Sequence, residues 1–435
     1  MTRTEERLAD ALHASADRVR DDRLRPFPVL ESAARLGAWR RAAWRAWLVP
    51  VAAAASVVLI VGLAVAVTGA PQQAGHGRPG GTGSTTAGFP EYFAQFIDTI
   101  NMAGPTVQVR SSVTGSTVAS VPSVKVPGWV LALHAIGASP DGHTFYLAYQ
   151  AFGTVNSSPT SQIWIYRLSI TGSGAAMPLT RIEGGDISVG AANYTSGGSL
   201  AVSPDGTKLA LTIDNTDQRG HDSQGWADKI VVIDLATGAR HVWRGGLYRS
   251  GKTFSIPDIS WTADGRSLVF LGVWCSYPEF SSRCVSTSGP EGYRDAQVRS
   301  LSVGTGGGAL DRSAVLLAQS ARYPFIAAAV AGLAGAELNV VVLSGHTGPS
   351  GSWSKVAVER VSAVNGSLLG VVYRSVPQRG ERQPIGVDIS PDPSGRYLLL
   401  SYSGPGEIYT GWIEAGNLHF LPVRQPYLGF LITAW

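Results

Sequence analysis

The stretch "AVSPDGTKLALTI", residues 201–213, recurs along the 435-residue chain, and a fixed recurrence constrains the fold before any single residue can be interpreted. Related stretches start at Gly137 ("GASPDGHTFYLAY"), Ser260 ("SWTADGRSLVFLG") and Asp388 ("DISPDPSGRYLLLSY"). Ser139 and Ser203 are 64 residues apart, Ser203 and Thr262 are 59 apart, and Thr262 and Ser390 are 128 apart, which is two periods. A degenerate copy is therefore expected in the gap. "VAGLAGAELNVVVLSG" from Val330 fits it, keeping a small-residue turn and an apolar strand without the Asp-Gly pair.

Each unit continues with a second pattern: "QIWIYRLSITGSGAAMPL" from Gln162, "KIVVIDLATGARHVW" from Lys229 and "KVAVERVSAVNGSLLGVVY" from Lys355. Alternating apolar runs punctuated by tight Gly turns read as four short strands, a to d, with Ser-Pro-Asp-Gly at the a–b turn and Thr-Gly or Asn-Gly at the c–d turn. Pro presets φ for a turn, Asp hydrogen-bonds the backbone ahead of it, and Gly accepts the positive φ that follows. Turn chemistry alone accounts for Asp141, Asp205 and Asp264. A sialidase-type Asp box needs a different Gly spacing and a trailing aromatic residue, which "SPDGTKLAL" lacks.

A repeated four-stranded unit of this length points to a β-propeller. Five units leave residues over at both ends. "EYFAQFI" from Glu91, "TVQVRSS" from Thr106 and "STVASVP" from Ser116 read as strands b, c and d, while "LGFLITAW" from Leu428 reads as a lone strand a, with Trp435 where Trp261 stands in "DISWTADG". One terminal strand and three initial strands make one blade. The expectation is an all-β, six-bladed propeller over 89–435 with 1+3 closure, within bounds of five to seven blades.

Residues 1–88 are a different kind of sequence. The segment 48–67, "LVPVAAAASVVLIVGLAVAV", carries no charge, and 20 residues at helical rise span about 30 Å, the thickness of a hydrocarbon core. It reads as a transmembrane helix. Arg35, Arg40, Arg41 and Arg45 precede it, with Trp39, Trp44 and Trp47 at interface depth, whereas the next basic residues beyond it are Arg78 and Arg110. This asymmetry places the N-terminus in the cytoplasm and the propeller outside. A cleaved signal peptide is the competing reading, disfavoured by a 47-residue leader and by Pro71 just after "VTGA". Residues 68–88 form a Gly-rich linker with a reach of about 25 Å. Residues 1–47 form a stub whose Leu8, Leu12 and Val19 lie among mixed charges, suggesting a short amphipathic helix that is either solvated or offered to a cytoplasmic partner.

Charge excludes one class of partner. The stub holds 10 Arg and 7 acids, leaving 25 basic and 24 acidic residues elsewhere, so the overall +4 is no nucleic-acid footprint. No Gly-x-Ser-x-Gly elbow, phosphate loop, His-Glu-x-x-His or Cys-x-x-Cys occurs, and the sequence implies no catalytic residue, metal or cofactor. The two cysteines, Cys275 and Cys284, share one insertion of a domain expected outside the cell, which favours a disulfide. Two b–c connections are long: "DNTDQRGHDSQGWAD" from Asp214 and "GVWCSYPEFSSRCVSTSGPEGYRDA" from Gly272. Long loops on a rigid scaffold concentrate binding residues. Trp226, Trp274, Tyr277, Arg283 and Tyr293 are the candidate anchors, with Asp214, Asp222 and Glu279 as polar contacts; equally, Trp226 and Trp274 could cover the ends of the core.

The repeated "SPDGTKLALTI…KIVVIDLATGAR" resembles the bacterial TolB-type and WD-repeat-like propeller families, loosely over 89–435. The layout of Arg- and Ala-rich stub, one helix, Gly-rich linker and propeller ending in Ala-Trp looks like that of membrane-anchored propeller proteins of actinobacteria. That resemblance implies envelope sensing beside an extracytoplasmic-function sigma factor; the stub, with His13 but no Cys, departs from zinc-containing anti-sigma domains. The expected function is a binding, sensing or scaffold module for an extracytoplasmic protein, peptide or glycan. The alternative is a hydrolase or lactonase-like propeller using a metal in the central channel.

Overall fold

The computed structural model describes residues 89–97, 106–122, 124–155, 158–190, 198–213, 228–245, 252–276, 296–320, 323, 326–331, 337–348, 351–375, 378–379, 387–392, 396–403, 407–414, 417–421, 425–426 and 431–435. The expected helix at 48–67, the stub and the linker 68–88 lie outside these residues. Among the described residues no helix is long and apolar enough to cross a membrane.

The strands pair as six sheets. In chain order, β1 (Tyr92–Ile97), β2 (Thr106–Ser111) and β3 (Thr117–Pro122) belong to blade 1. Blade 2 is β4 (Trp129–Ala138), β5 (Thr144–Val155), β6 (Ser158–Ser169) and β7 (Thr180–Arg181), with β8 (Ile187–Gly190) added against β6. Blade 3 is β9 (Leu200–Val202), β10 (Lys208–Ile213), β11 (Lys229–Asp234) and β12 (Arg240–Arg244). Blade 4 is β13 (Lys252–Trp261), β14 (Ser267–Ser276), β15 (Gln297–Ser302) and β17 (Ala314–Ala318); β16 (Gly308–Ala309), between the last two, leaves the blade to pair in parallel with β12. Blade 5 is β18 (Ile326–Ala331), β19 (Glu337–Gly348), β20 (Gly351–Ser362) and β21 (Leu368–Arg374), with β22 (Gln378–Arg379) beside β20. Blade 6 is β23 (Val387–Pro391), β24 (Leu398–Ser403), β25 (Glu407–Glu414) and β26 (Asn417–Phe420), with β27 (Gln425–Pro426) beside β25.

The last strand, β28 (Leu431–Ala434), returns to pair with β1, so blade 1 reads β28-β1-β2-β3. This is the 1+3 closure expected from the leftover strands. The innermost strands β4, β9, β13, β18, β23 and β28 touch one another in that order, and β28 also touches β4. Six blades therefore close a ring.

Every blade has a neighbour on each face, which explains why its middle strands are apolar throughout rather than alternating. In β10, Leu209, Ala210, Leu211 and Ile213 are all fully buried. Leu209, Leu211 and Ile213 join Ile163 and Ile165 of blade 2, whereas Ala210 joins Phe254 and Phe270 of blade 4. Adjacent side chains thus serve opposite seams.

The a–b turns follow one plan. Ser203 accepts and donates across its turn (Ser203 N–H to Lys208 O, Lys208 N–H to Ser203 Oγ, both 2.9 Å), and Gly206 turns at φ 71°. Thr262 repeats this with Ser267, and Gly265 turns at φ 65°. In blade 6 the register departs from the 128-residue spacing. It is Asp392, not Ser390, that bonds Tyr397 in both directions, so the equivalent of Thr262 lies two residues further on. In sequence, Pro393, Ser394 and Gly395 then stand where Pro204, Asp205 and Gly206 do, and "SPD" at Ser390 matches by composition at the wrong offset.

Candidate functional site

Antiparallel strands place the a–b and c–d turns on one face of the ring and the b–c connections on the other. On the short-turn face the carboxylates are occupied locally. Asp205 accepts from the Ser203 hydroxyl (2.5 Å), the Thr207 N–H (3.0 Å) and the Thr207 hydroxyl (2.8 Å), and these bonds, Ser203 first, hold its carboxyl down at about 2. Asp264 is lowered the same way, by the Thr262 hydroxyl and then the Arg266 N–H. Asp141 accepts from the backbone of His143 and Thr144 and from the Thr144 hydroxyl. All three are turn residues.

The chain enters and ends on this same face. Phe89, just before β1, sits edge-on against Trp412 (ring centroids 4.7 Å), Tyr397 (5.0 Å) and Trp435 (5.3 Å). Trp435 is 3% exposed, and its indole N–H donates to the Ser112 hydroxyl at 2.9 Å. The matching Trp261 donates to Ala201 O at 3.1 Å.

The opposite face is uneven. β5 and β6 stay paired from Thr144↔Ser169 to Val155↔Ser158, and β19 and β20 from Glu337↔Ser362 to Gly348↔Gly351, twelve pairs each. β1–β2, β10–β11 and β24–β25 have six. Six further pairs at strand rise project about 20 Å. Blades 2 and 5 are three steps apart in a six-membered ring, so these two walls stand across the central channel from each other. The sequence reading missed them; their signal was the long, mostly apolar runs "TFYLAYQAFGTV" and "ELNVVVLSG" with only two residues between partner strands. At the blade 2 wall, Trp129 packs on Trp164 (4.8 Å) and the Arg181 guanidinium lies 4.3 Å over Trp164 while bonding Asp186. Gly153 makes room, because a Cβ there would meet the Trp129 ring at 2.7 Å.

Of the residues singled out from the sequence, Trp274 lies in β14. It packs against Phe254 (5.0 Å) at the edge of the blade 3–4 core, partly buried. Asp214, Asp222, Trp226, Tyr277, Glu279, Arg283 and Tyr293 lie outside the described residues. Cys275 is on β14 opposite Thr253, and Cys284 lies outside.

The innermost strands carry polar groups outside the candidate set, although Asp258 and Asp388 open the same Asp-Ile-Ser triplet. Ser199, Asp258 and Asp388 occupy the same position, four residues before Ser203, Thr262 and Asp392. The Ser199 hydroxyl is 3.4 Å from Asp258 Oδ1 and accepts from Ile259 N–H at 3.3 Å. Asp388 Oδ2 accepts from Thr433 N–H (2.6 Å) and the Thr433 hydroxyl (2.8 Å). Burial still pushes the Asp388 carboxyl up, outweighing those bonds. His134, 2% exposed, bonds Thr212 O at 3.0 Å, and burial pushes its imidazole down, outweighing that bond. Among the described residues no three His, Cys, Asp or Glu side chains are grouped to hold a metal.

No protein-family model matches the chain, and neither does any curated protein. Among solved structures it is similar to TolB from Acinetobacter baumannii, at 18% identity and a TM-score of 0.44 over 79% of this chain and 66% of that one. It is also similar to the tricorn protease (11%, TM-score 0.37, 79% of this chain and 30% of that one). A third is the Myceliophteria thermophila Cps50 (Swd1) β-propeller domain (11%, TM-score 0.35, 78% and 85%). The chain thus spans just under two thirds of the TolB chain and under a third of the tricorn protease. The six-bladed assignment rests on the strand order and the ring of inner-strand contacts.

Proposed function

We propose that the protein is a membrane-anchored extracytoplasmic propeller that binds a protein, peptide or glycan on its b–c face. The observation that carries this reading is the asymmetry of the ring. Chain entry at Phe89 and the strand end at Trp435 share the short-turn face, where the carboxylates serve turns, while the lengthened strands of blades 2 and 5 stand on the other. A tether leaving the short-turn face leaves the b–c face free for a partner. Residues 48–67 supply the anchor in this reading, and blades 3 and 4, whose sequence carries the long insertions, come between blades 2 and 5 in ring order. Rigid strands flanking long connections suit recognition.

The test places a photo-crosslinking amino acid at Val155, exposed at the blade 2 tip, or at Val113, exposed in a short turn, in the full chain in intact cells. Adducts to envelope components from position 155 and not 113 support the reading; the reverse pattern overturns it. Protease treatment of spheroplasts is expected to release a propeller fragment cut in 68–88, whereas free protein in the medium would overturn the anchor. Stoichiometric calcium or zinc in the purified protein would favour the channel hydrolase instead.

A further inference from the structure

Five of the six blades carry an apolar pair at one level of their two innermost strands: Ile136↔Leu147, Leu200↔Leu211, Ile259↔Phe270, Ala329↔Val340 and Ile389↔Leu400. Blade 1 carries Thr433↔Gln95. Both are buried, Thr433 at 4% and Gln95 at 0% exposure. They face blade 6, which answers with another polar row, Asp388↔Ser401↔Thr410. The corresponding rows of blades 4 and 5 continue as Leu271↔Val298 and Val341↔Val358.

The two rows are bonded into one network. Thr433 donates twice to Asp388, Gln95 Nε2 donates to Thr410 Oγ1 at 3.2 Å, and Ser401 Oγ donates to the same Thr410 oxygen at 3.1 Å. Gln95 Oε1, fully enclosed, has no partner among the described residues. Among the described residues the buried apolar cluster of this seam lies at the turn end, where Phe93, Leu399, Leu421 and Trp435 pack together and Phe89 packs on them.

One side of this polar seam is β28, the strand that completes the ring and that touches β4 of blade 2 on its other side. A polar row fixes the register of β28, since a one-residue slip would turn Thr433 away from Asp388. It does so at the expense of adhesion. When such a seam opens, water replaces the lost hydrogen bonds at small net cost, whereas opening an Ile–Leu seam exposes apolar area with nothing to replace it.

We propose that the blade 6–blade 1 seam is the opening point of the ring, and that Phe89, seated against Tyr397, Trp412 and Trp435, couples it to the segment preceding the propeller. Tension or binding on residues 1–88 that withdraws Phe89 uncovers the apolar end of the seam. Release of β28 then exposes the inner edge of blade 1 and the channel-side Asp388.

Hydrogen exchange by mass spectrometry on the full chain in detergent tests this. Amides of β28 and β1 are expected to exchange at least tenfold faster than those of β13 and β14. Gln95→Leu with Thr433→Ile, which restores the pair used elsewhere, is expected to slow β28 and β1 at least tenfold, and Phe89→Ala to speed them. If the double variant fails to fold, Thr433→Val alone is read the same way. Equal protection of β28 and β13 in the native protein overturns the proposal, as does unchanged β28 exchange in Phe89→Ala.

Discussion

Trp435→Ala measures what the terminal strand contributes to the closed ring. The side chain is 3% exposed, and truncating a buried Trp to Ala costs about 3–5 kcal/mol. The hydrogen bond to the Ser112 hydroxyl is lost with it, leaving a group that is 1% exposed without its donor, at about 1 kcal/mol. Together the loss is about 4–6 kcal/mol, a large part of the ~5–15 kcal/mol that holds a domain folded. Trp261→Ala is the internal control. It occupies the matching position in blade 4, is 6% exposed and bonds Ala201 O, and its chain continues through the turn instead of ending. Urea unfolding of both variants, followed by far-UV circular dichroism, should give losses within about 1.5 kcal/mol of each other. Trp435→Ala within about 1 kcal/mol of the native protein, beside a full loss in Trp261→Ala, would refute the reasoning, because β28 would then be an ornament on a ring closed by other means.

Asp205→Asn should cost under about 1 kcal/mol, since its amide oxygen accepts the same bonds, while Asp205→Ala should cost about 1–2 kcal/mol by orphaning the Ser203 and Thr207 donors; equal losses would argue for a charge-dependent role. Because the folded Asp205 carboxyl is lowered to about 2, its contribution is present above its ordinary value of 3.8 and is lost as pH falls toward 2. Asp388 has the opposite sign: its folded value is raised, so its contribution is present in acid, below 3.8, and is lost as pH rises through that raised value. The side chains facing it from β24, β25, β1 and β28 (Ser401, Thr410, Gln95 and Thr433) are uncharged, so Asp388→Asn should raise stability at pH 7 and not at pH 3, as measured by thermal melts. Trp274→Ala should lose about 2–3 kcal/mol through its packing on Phe254, with Trp274→Phe recovering most of it; a crosslinking yield that falls in Trp274→Phe at full stability would show recognition by the indole itself.

The architecture was legible because a repeat constrains a chain many times over. Ser203, Thr262 and their neighbours mark turns that only a few residue types can make, and the leftover strands at the two ends could be assigned by matching Trp435 to Trp261. What misled was local. Pro391-Asp392 looks like Pro204-Asp205, yet a turn is defined by which groups bond across it, and Asp392 fills the role of Ser203. The candidate site was less legible. Length and aromatic content drew attention to the insertions of blades 3 and 4, but strand extension in blades 2 and 5 has no composition signal. Asp258 and Asp388 share an Asp-Ile-Ser triplet, but what they and His134 face is assembled from different blades and has no pattern along the chain.

A propeller explains most of its residues by the same few demands made in every blade: a turn, a buried stripe, a paired edge. Positions that depart from the repeat therefore locate what the scaffold alone does not require. Three such departures stand out here. The b–c ends of blades 2 and 5 exceed the length that pairing within the ring needs. The a–b turn of blade 5 lacks the Asp-Gly pair that serves Asp141, Asp205 and Asp264. Blade 1 replaces an Ile–Leu type of pair by Thr433 and Gln95, although a polar pair at that depth adheres less well than the residues it replaces. The third is the most informative, since it lowers stability at the point where the two ends of the propeller chain meet. Selection for stability alone would have left an aliphatic pair there, so the polar pair points to a requirement for register, for opening, or for both. Tenfold slower exchange in Gln95→Leu/Thr433→Ile with correct β28 pairing would separate opening from register, since a register role predicts mispaired β28 in that variant.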